Sequence, residues 1–197
     1  MDTVLVVGGG GREHALAWSL ARSPRVGQVL VAPGNAGTAT EPGCRNIDLA
    51  VADIDAVVDL ARREQVAMVV IGPEDPLVAG LADRLEAAGI RAFGPSADAA
   101  RLEGSKSHCK KFLLDNDIPT GEAATFADAE AALAHLDSLP TVPVVKADGL
   151  AAGKGVIVAE RRAEAADAIR SILVDGRFGA AGGQGLREAR RPGPALS

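Results

Sequence analysis

Aromatic side chains are scarce in this sequence: four phenylalanines, one tryptophan and no tyrosine make up 3 % of its 197 residues. A core must therefore be built from Ala, Val, Leu and Ile. With hydrophobic residues at 47 %, there are enough of them for one large or two small domains. Cysteine is almost missing as well. Cys44 and Cys109 are too few for a disulfide framework and fit no metal-ligand spacing, so they read as reduced thiols of a cytoplasmic protein. No apolar run approaches the roughly eighteen residues of a membrane span, and no basic segment precedes Val4–Val7 as a secretory signal would require. An excess of positive charge is lacking too. The net charge is −5, which argues against a nucleic-acid partner. Lysine itself is rare. Of 21 basic residues only Lys106, Lys110, Lys111, Lys146 and Lys154 are lysines, and all lie between positions 106 and 154. On an arginine-rich background, a lysine marks a place where a compact point charge is wanted, and phosphate is its usual target.

What the chain does have is alternation of strand and helix patterns. Thr3–Val7 is a β-branched run that enters the glycines 8–11, and an Ala/Leu-rich helical stretch follows to about Arg22. Gln28–Val31 reads as a strand, Ile54–Arg63 as a helix and Ala67–Ile71 as a buried strand. Leu77, Leu81 and Leu85 form the stripe of one further helix, and Ile90–Phe93 is a fourth strand. The strands are apolar without clean alternation, which predicts a parallel sheet covered on both faces: a doubly wound α/β domain over residues 1–103. Beyond it, Lys106–Asn116 reads as a connecting helix with Ser105 as its N-cap, inside a linker of residues 104–120. Two helical stripes, Ala129/Ala132/Leu133/Leu136 and Ala165/Ala168/Ile169/Ile172, flank a hairpin and predict a small α+β lobe over 121–181. Residues 182–197 carry arginine and proline without an apolar period and are expected to be irregular.

Two glycine-rich loops hold the candidate chemistry. In "VLVVGGGGREHALAW" the glycines join a strand to a helix start, where backbone N–H groups and the helix dipole favour an anion. The dinucleotide fingerprint fails, since its third glycine falls on Glu13 and the second strand runs into Pro33-Gly34-Asn35 instead of an acid. The loop suits a phosphate, or is a tight turn where helix packs on sheet. Glu74 in "IGPEDPL" lies at the same carboxyl edge, placed for a hydroxyl or amine or else as an ordinary helix-start acid. The second loop, "VVKADGLAAGKGVIVAE", is not a Walker loop, because Gly155 follows Lys154 and the loop joins strand to strand. A hairpin of small residues can fold over a triphosphate while Lys146 neutralises charge. Lys106 at a helix start opposes the dipole, which a nearby anion would explain.

These stretches, with "VAPGNAGTA", "FGPSADAARLEGSK" and their order and spacing, resemble the N-terminal part of the phosphoribosylamine–glycine ligase family of the ATP-grasp superfamily, over about residues 1–182. The resemblance implies a pre-ATP-grasp domain followed by an ATP-grasp lid lobe. It also implies ligation of glycine to 5-phosphoribosylamine with ATP, and Mg²⁺ or Mn²⁺ as the metal in the full-length family. It assigns ATP to Lys106, Lys146, Asp148, Gly149, Leu150, Ala151, Ala152, Gly153, Lys154, Gly155 and Val156. It assigns phosphoribosylamine to Gly9, Gly10, Gly11, Arg12, Glu13, Pro33, Gly34, Asn35, Gly72, Pro73 and Glu74.

The pattern breaks near the end. After "RFGAAG" the family runs through a hydrophobic strand to a hinge. Here "GQGLREARRPGPALS" places Glu188 and Gly193 near the hinge register but replaces the apolar residues between them. The second ATP-grasp subdomain and its metal ligands are expected to be absent, so a shortened form that is inactive alone or needs a companion chain is implied. Rival readings are a non-catalytic nucleotide or sugar-phosphate binding module and, weaker because of Glu13, a dinucleotide-dependent oxidoreductase fragment.

Overall fold

A computed structural model describes residues 1–151 and 154–189. The chain forms two compact units, Met1–Ala100 and Arg101–Ser197.

In the first unit the strands β1 (Asp2–Gly8), β2 (Val26–Pro33), β3 (Cys44–Asn46), β4 (Met68–Ile71) and β5 (Ala92–Phe93) form a parallel sheet in the order β3-β2-β1-β4-β5. Side chains alternate faces along a strand, and here both faces are buried. Leu5, Val7, Leu30, Ala32, Val69 and Ile71 pack against Val57, Leu60 and Ala61 of α2 (Ile54–Arg63) and Leu81 and Leu85 of α4 (Leu81–Ala87). Val4, Val6, Val29, Val31 and Val70 pack on the other face against Ala17, Leu16 and Leu20 of α1 (Gly11–Ala21). The doubly wound expectation therefore holds, and the uninterrupted apolar strands are its cause. The single helix expected through Leu77, Leu81 and Leu85 is broken. A short α3 (Glu74–Val78) stops before Gly80, whose φ of +88° is left-handed and cannot continue a helix. Strand order reverses between β1 and β4, so the crevice at their carboxyl ends is the fold's natural ligand position.

α5 (Ala97–Gly104) begins in the first unit and ends in the second, where α6 (Lys106–Asp115) follows it. Its sheet is antiparallel, built from β6 (Ala123–Phe126), β7 (Val144–Ala147), β8 (Val156–Val158) and β9 (Gly185–Glu188), in the order β6-β9-β7-β8. One face is covered by α7 (Ala129–Ser138) and α8 (Arg162–Leu173), with Ala132, Leu136, Val145, Ala165, Ile169 and Ile172 in the core. Asp128 caps α7 by accepting the N–H of Ala131 at 2.8 Å. At the far end of that helix the Arg162 guanidinium donates to the carbonyls of Leu136 and of Leu139, the latter at 2.7 Å. It thereby adds to the single, long bond that Leu136 accepts from the Leu139 N–H and caps the carbonyl of Leu139.

One expectation is corrected here. Part of the segment expected to be irregular from 182 onward is β9, which pairs with β6 on one side and β7 on the other. The reason is tertiary: the "GLRE" stretch has no strand period of its own and is ordered by two partners. The remainder of that segment, 190–197 with Gly193, lies outside the described residues.

Candidate functional site

The first unit gathers its loops at the carboxyl ends of β1, β2 and β4. Gly34 N–H donates to the Gly8 carbonyl at 3.2 Å, and the Asn35 amide donates to the Gly9 carbonyl at 3.0 Å. A Cβ on Gly9 would lie 2.7 Å from the Gly34 oxygen, so the two loops can close on each other only because position 9 is glycine. Asn35 is itself held. Its side-chain oxygen accepts from Gly37 and Thr38 N–H at 2.8 and 3.0 Å. The buried Thr38 hydroxyl accepts from Asn35 N–H at 2.8 Å and donates to Asn46 Oδ1 at 2.7 Å.

Glu13 explains more of the glycines than a ligand does. It is only 5 % exposed, and its carboxylate accepts the Gly10 N–H at 2.7 Å and Arg12 Nε at 2.8 Å. Ideal Cβ atoms at Gly8, Gly10 and Gly72 would sit 2.6, 2.8 and 2.3 Å from Glu13 side-chain atoms. These glycines make a chamber for the acid. The chamber in turn aims Arg12: one edge of the guanidinium is bound to Glu13, another nitrogen lies 3.8 Å from Glu74, and most of the side chain faces solvent. The hydrogen bond from Glu13 pushes the Arg12 guanidinium above its ordinary value. Burial works against that rise, and the charges of Glu13 and Glu74 add to it. The residues proposed for the sugar phosphate, from Gly9–Glu13 through Pro33–Asn35 to Gly72–Glu74, thus share one edge. Thr38 and Asn46 escaped sequence reasoning, although "NAGT" carries the Asn-to-Thr spacing of such a turn.

In the second unit Asp148, the first residue beyond β7, organises the root of the glycine hairpin. Its carboxylate accepts the Ser107 N–H at 2.6 Å and the Ser105 hydroxyl at 2.9 Å, while Ser105 caps α6 by accepting the N–H of His108. Lys106 donates to the Gly149 carbonyl at 2.9 Å and, more distantly, to that of Asp148 at 3.4 Å. The ammonium of Lys106 is thus met by two backbone carbonyls at the root of the hairpin, not by the Asp148 carboxylate. Lys154 N–H donates to the Ala151 carbonyl at 2.9 Å. A Cβ on Gly155 would meet Ala151 Cβ at 2.6 Å, so the hairpin can pack this tightly only with glycine there. Leu150 is half-buried and Val156 exposed; Ala152 and Gly153 lie outside the described residues.

Register decides where Lys146 points. Val145 and Ala147 are buried against the helices, which leaves Val144 and Lys146 on the opposite face of the sheet. Glu188 pairs with Val144 across the ladder and is therefore the diagonal neighbour of Lys146 on that open face. Its carboxylate forms ion pairs with Lys146 and with Lys110, the latter at 2.8 Å. Burial pushes the Glu188 carboxyl up. The hydrogen bonds from Lys110 and Lys146, with their charges, outweigh that and hold it below the ordinary 4.5. A carboxyl with a lowered folded-state value stabilises the fold fully above the unfolded value and loses that contribution as pH falls through the folded one. The second unit is accordingly expected to lose urea resistance on acidification below about 4.5, and Glu188→Gln to flatten that slope in CD-monitored unfolding. An unchanged slope in the variant would remove Glu188 as its source.

Among the described residues, no three His, Cys, Asp or Glu side chains converge as a metal site, and no helix is long and apolar enough to cross a membrane.

Residues 2–103 match the family described as "Phosphoribosylglycinamide synthetase, N domain", and residues 104–197 match "Phosphoribosylglycinamide synthetase, ATP-grasp (A) domain". Phosphoribosylamine–glycine ligase of Xanthomonas axonopodis pv. citri is 59 % identical over 179 residues, covering 91 % of this chain and 42 % of that protein. The protein of the same name from Xylella fastidiosa (strain 9a5c) is 52 % identical over 194 residues, 98 % of this chain and 44 % of its own length. The crystal structure of phosphoribosylamine–glycine ligase from Thermotoga maritima superposes with a TM-score of 0.75 at 25 % identity, over 98 % of this chain and 44 % of that one. The biotin carboxylase domain of the Hydrogenobacter thermophilus 2-oxoglutarate carboxylase shares the fold at 19 % identity, with a TM-score of 0.74 over 96 % of this chain and 44 % of that one. The chain spans less than half the length of these relatives. With both halves of its sequence matched, and with the doubly wound sheet and glycine hairpin in place, the chain belongs to the phosphoribosylglycinamide synthetase family.

Proposed function

We propose that this chain supplies two parts of a phosphoribosylamine–glycine ligase: the sheet edge that receives the phosphorylated sugar, and the lid that grips the nucleotide. In the reaction, ATP phosphorylates the glycine carboxylate. The amine of 5-phosphoribosylamine then attacks the acyl phosphate, and glycinamide ribonucleotide, ADP and phosphate result.

The observation that carries the reading is Lys146, presented on the open face of a sheet beside a hairpin of small residues rooted by Lys106 and Asp148. A lysine ammonium there neutralises phosphate charge, and backbone N–H groups of residues such as Gly149 and Gly155 complete the grip. On the first unit, Arg12 clamps the sugar phosphate. Glu13, buried and already bonded twice, positions Arg12 and does not meet the ligand. Glu74 is left to receive the ribosyl hydroxyls or the amine. The described residues offer no carboxylate set that fits Mg²⁺. Phosphoryl transfer, with the metal it calls for, falls to the part of the relatives' length that this chain does not span. The two free cysteines, Cys44 and Cys109, suit the reducing cytoplasm.

Titration calorimetry tests the assignment, with Mg·ATP and ribose 5-phosphate as separate probes. Lys146→Ala is expected to weaken Mg·ATP about tenfold or more, the scale of a lost charge-assisted contact, and to leave ribose 5-phosphate unaffected. Arg12→Ala is expected to do the reverse. A folded wild-type chain that binds neither probe would sink the reading.

A further inference from the structure

Lys110 is the odd lysine. It lies one turn after Lys106 on α6, is only 8 % exposed, and has no surface to serve. Its ammonium donates to the Thr120 hydroxyl at 2.5 Å, the Gly121 carbonyl at 3.2 Å and Glu188 Oε1 at 2.8 Å. Three acceptors match the three protons of an ammonium, so this buried charge is fully bonded. The other Glu188 oxygen goes to Lys146. The result is a chain of three charges, Lys110–Glu188–Lys146. Its inner cation is a tenth exposed at the side chain, its carboxylate a fifth and its outer cation a quarter.

The arithmetic of this chain matters. Two cations and one anion leave one positive charge unmatched. The buried end cannot attract a mobile anion, so the deficit is expressed at Lys146, the most exposed member. Without Lys110, Glu188 would neutralise Lys146 completely and the open face would ask for nothing. Asp148, just beyond β7, keeps its negative charge, since Ser105 and the Ser107 N–H are neutral donors, but Lys106 brings a positive charge to the same turn through the Asp148 and Gly149 carbonyls, so these two leave the count unchanged.

We propose that Lys110 is a positioning residue for nucleotide binding: by holding Glu188 from behind, it fixes the second carboxylate oxygen against Lys146 and keeps that ammonium one charge short of neutral, ready for a phosphate it never touches itself. The proposal rests on the reading of Lys146 as a phosphate contact and adds a second-layer charge that sets its strength. It is distinct from packing. A structural lysine would be replaceable by any side chain that preserves the fold, whereas a charge-balancing lysine must be compensated by removing a negative charge.

The test uses the whole chain and three probes in calorimetry: Mg·ATP, inorganic tripolyphosphate and uncharged adenosine. Lys110→Met is expected to weaken tripolyphosphate and Mg·ATP about tenfold, the scale of one opposing charge at contact distance, with little change for adenosine. Glu188→Gln alone is expected to tighten tripolyphosphate several-fold. The double variant, Lys110→Met with Glu188→Gln, restores one unmatched charge at Lys146 and is expected to recover most of the loss, because the two substitutions remove opposite charges from one ion pair. Should Lys110→Met not fold, the Glu188→Gln arm decides: tightening supports the charge count, and weakening or no change overturns it. If wild type binds and Lys110→Met binds equally well, or if the double variant stays as weak as the single, the role of Lys110 is overturned while the nucleotide site stands. If folded wild type binds no triphosphate at all, the site reading and this inference fall together.

Discussion

Gly8→Ala is expected to cost the first unit about 4 kcal/mol, out of a domain stability of about 5–15 kcal/mol. Two costs combine. Gly8 has a φ of +126°, a conformation L side chains rarely adopt, and holding alanine there costs about 1–3 kcal/mol. A Cβ at this position would also sit 2.6 Å from Glu13 Cγ, 2.9 Å from its Cδ and 3.0 Å from Pro73 Cδ. The nearest atoms belong to a side chain, but not to a free one. The Glu13 carboxylate is buried and bonded to Gly10 N–H and Arg12, so moving it breaks both bonds and adds about 1–3 kcal/mol of overpacking strain. Trp18 is the sole tryptophan and lies on α1, so urea unfolding followed by its fluorescence reads this unit selectively. Glu13→Ala forfeits the same two bonds but removes the nearest collision, so measured against Glu13→Ala alone the added cost of Gly8→Ala is expected to fall to that of φ and the Pro73 contact. A Gly8→Ala midpoint within about 0.5 kcal/mol of wild type, the range of an ordinary surface change, would show that the chamber is not tight. The functional corollary is that ribose 5-phosphate binding weakens with it, because Arg12 loses the carboxylate that orients it.

That chamber marks the boundary of what the sequence discloses. The glycines of "VVGGGGREHALAW" are legible as a strand-to-helix turn at a sheet edge, and so is the failure of the dinucleotide fingerprint at Glu13. Which atom the glycines make room for is not legible, because the answer is a side chain folding back from the next helix together with Gly72 from a distant loop. The same holds for Lys106: opposition to the helix dipole signals a partner for the charge, and only the fold identifies the groups it meets as the backbone carbonyls of Asp148 and Gly149. The parallel sheet is visible in advance because both faces are buried and every strand is apolar. The split between α3 and α4 is not, since the leucine spacing continues across Gly80 and a single left-handed residue overrides it. Strand β9 is hidden for the opposite reason. "GLRE" has two charges in four residues and a glycine, a poor strand by propensity, yet β6 and β7 leave a gap between them that it fills.

Filling that gap with this sequence has a consequence that Arg187→Leu exposes: the variant is expected to stabilise the second unit by about 1 kcal/mol, part of the transfer free energy of a leucine side chain, since position 187 is half-buried. Cross-strand pairing puts Arg187 opposite Val145, whose side chain is 3 % exposed against α7 and α8, so the arginine stands on the apolar face. There it lines a cavity of about 20 Å³ with Phe126, Ala132, Ile169, Ile172 and Leu173. Its Nε and one terminal nitrogen both donate to the same atom, His135 Nε2, at 3.1 and 2.6 Å. One imidazole nitrogen shared between two donors is thin compensation for a guanidinium against hydrocarbon. Leucine has the length to reach the cavity and carries no charge to desolvate. His135 keeps its tilted ring contact with Phe126, where the centroids are 5.2 Å apart. Because Trp18 belongs to the other unit, the measurement is hydrogen exchange at the β9 and β7 amides. Protection should rise by about fivefold, the equilibrium equivalent of about 1 kcal/mol. A loss of protection in Arg187→Leu would mean that the arginine–histidine contact holds β9 in the sheet. It would then follow that the charged residues of this strand are the reason it is ordered, and Lys110 and Lys146, which grip Glu188 one residue further on, would have to share that task.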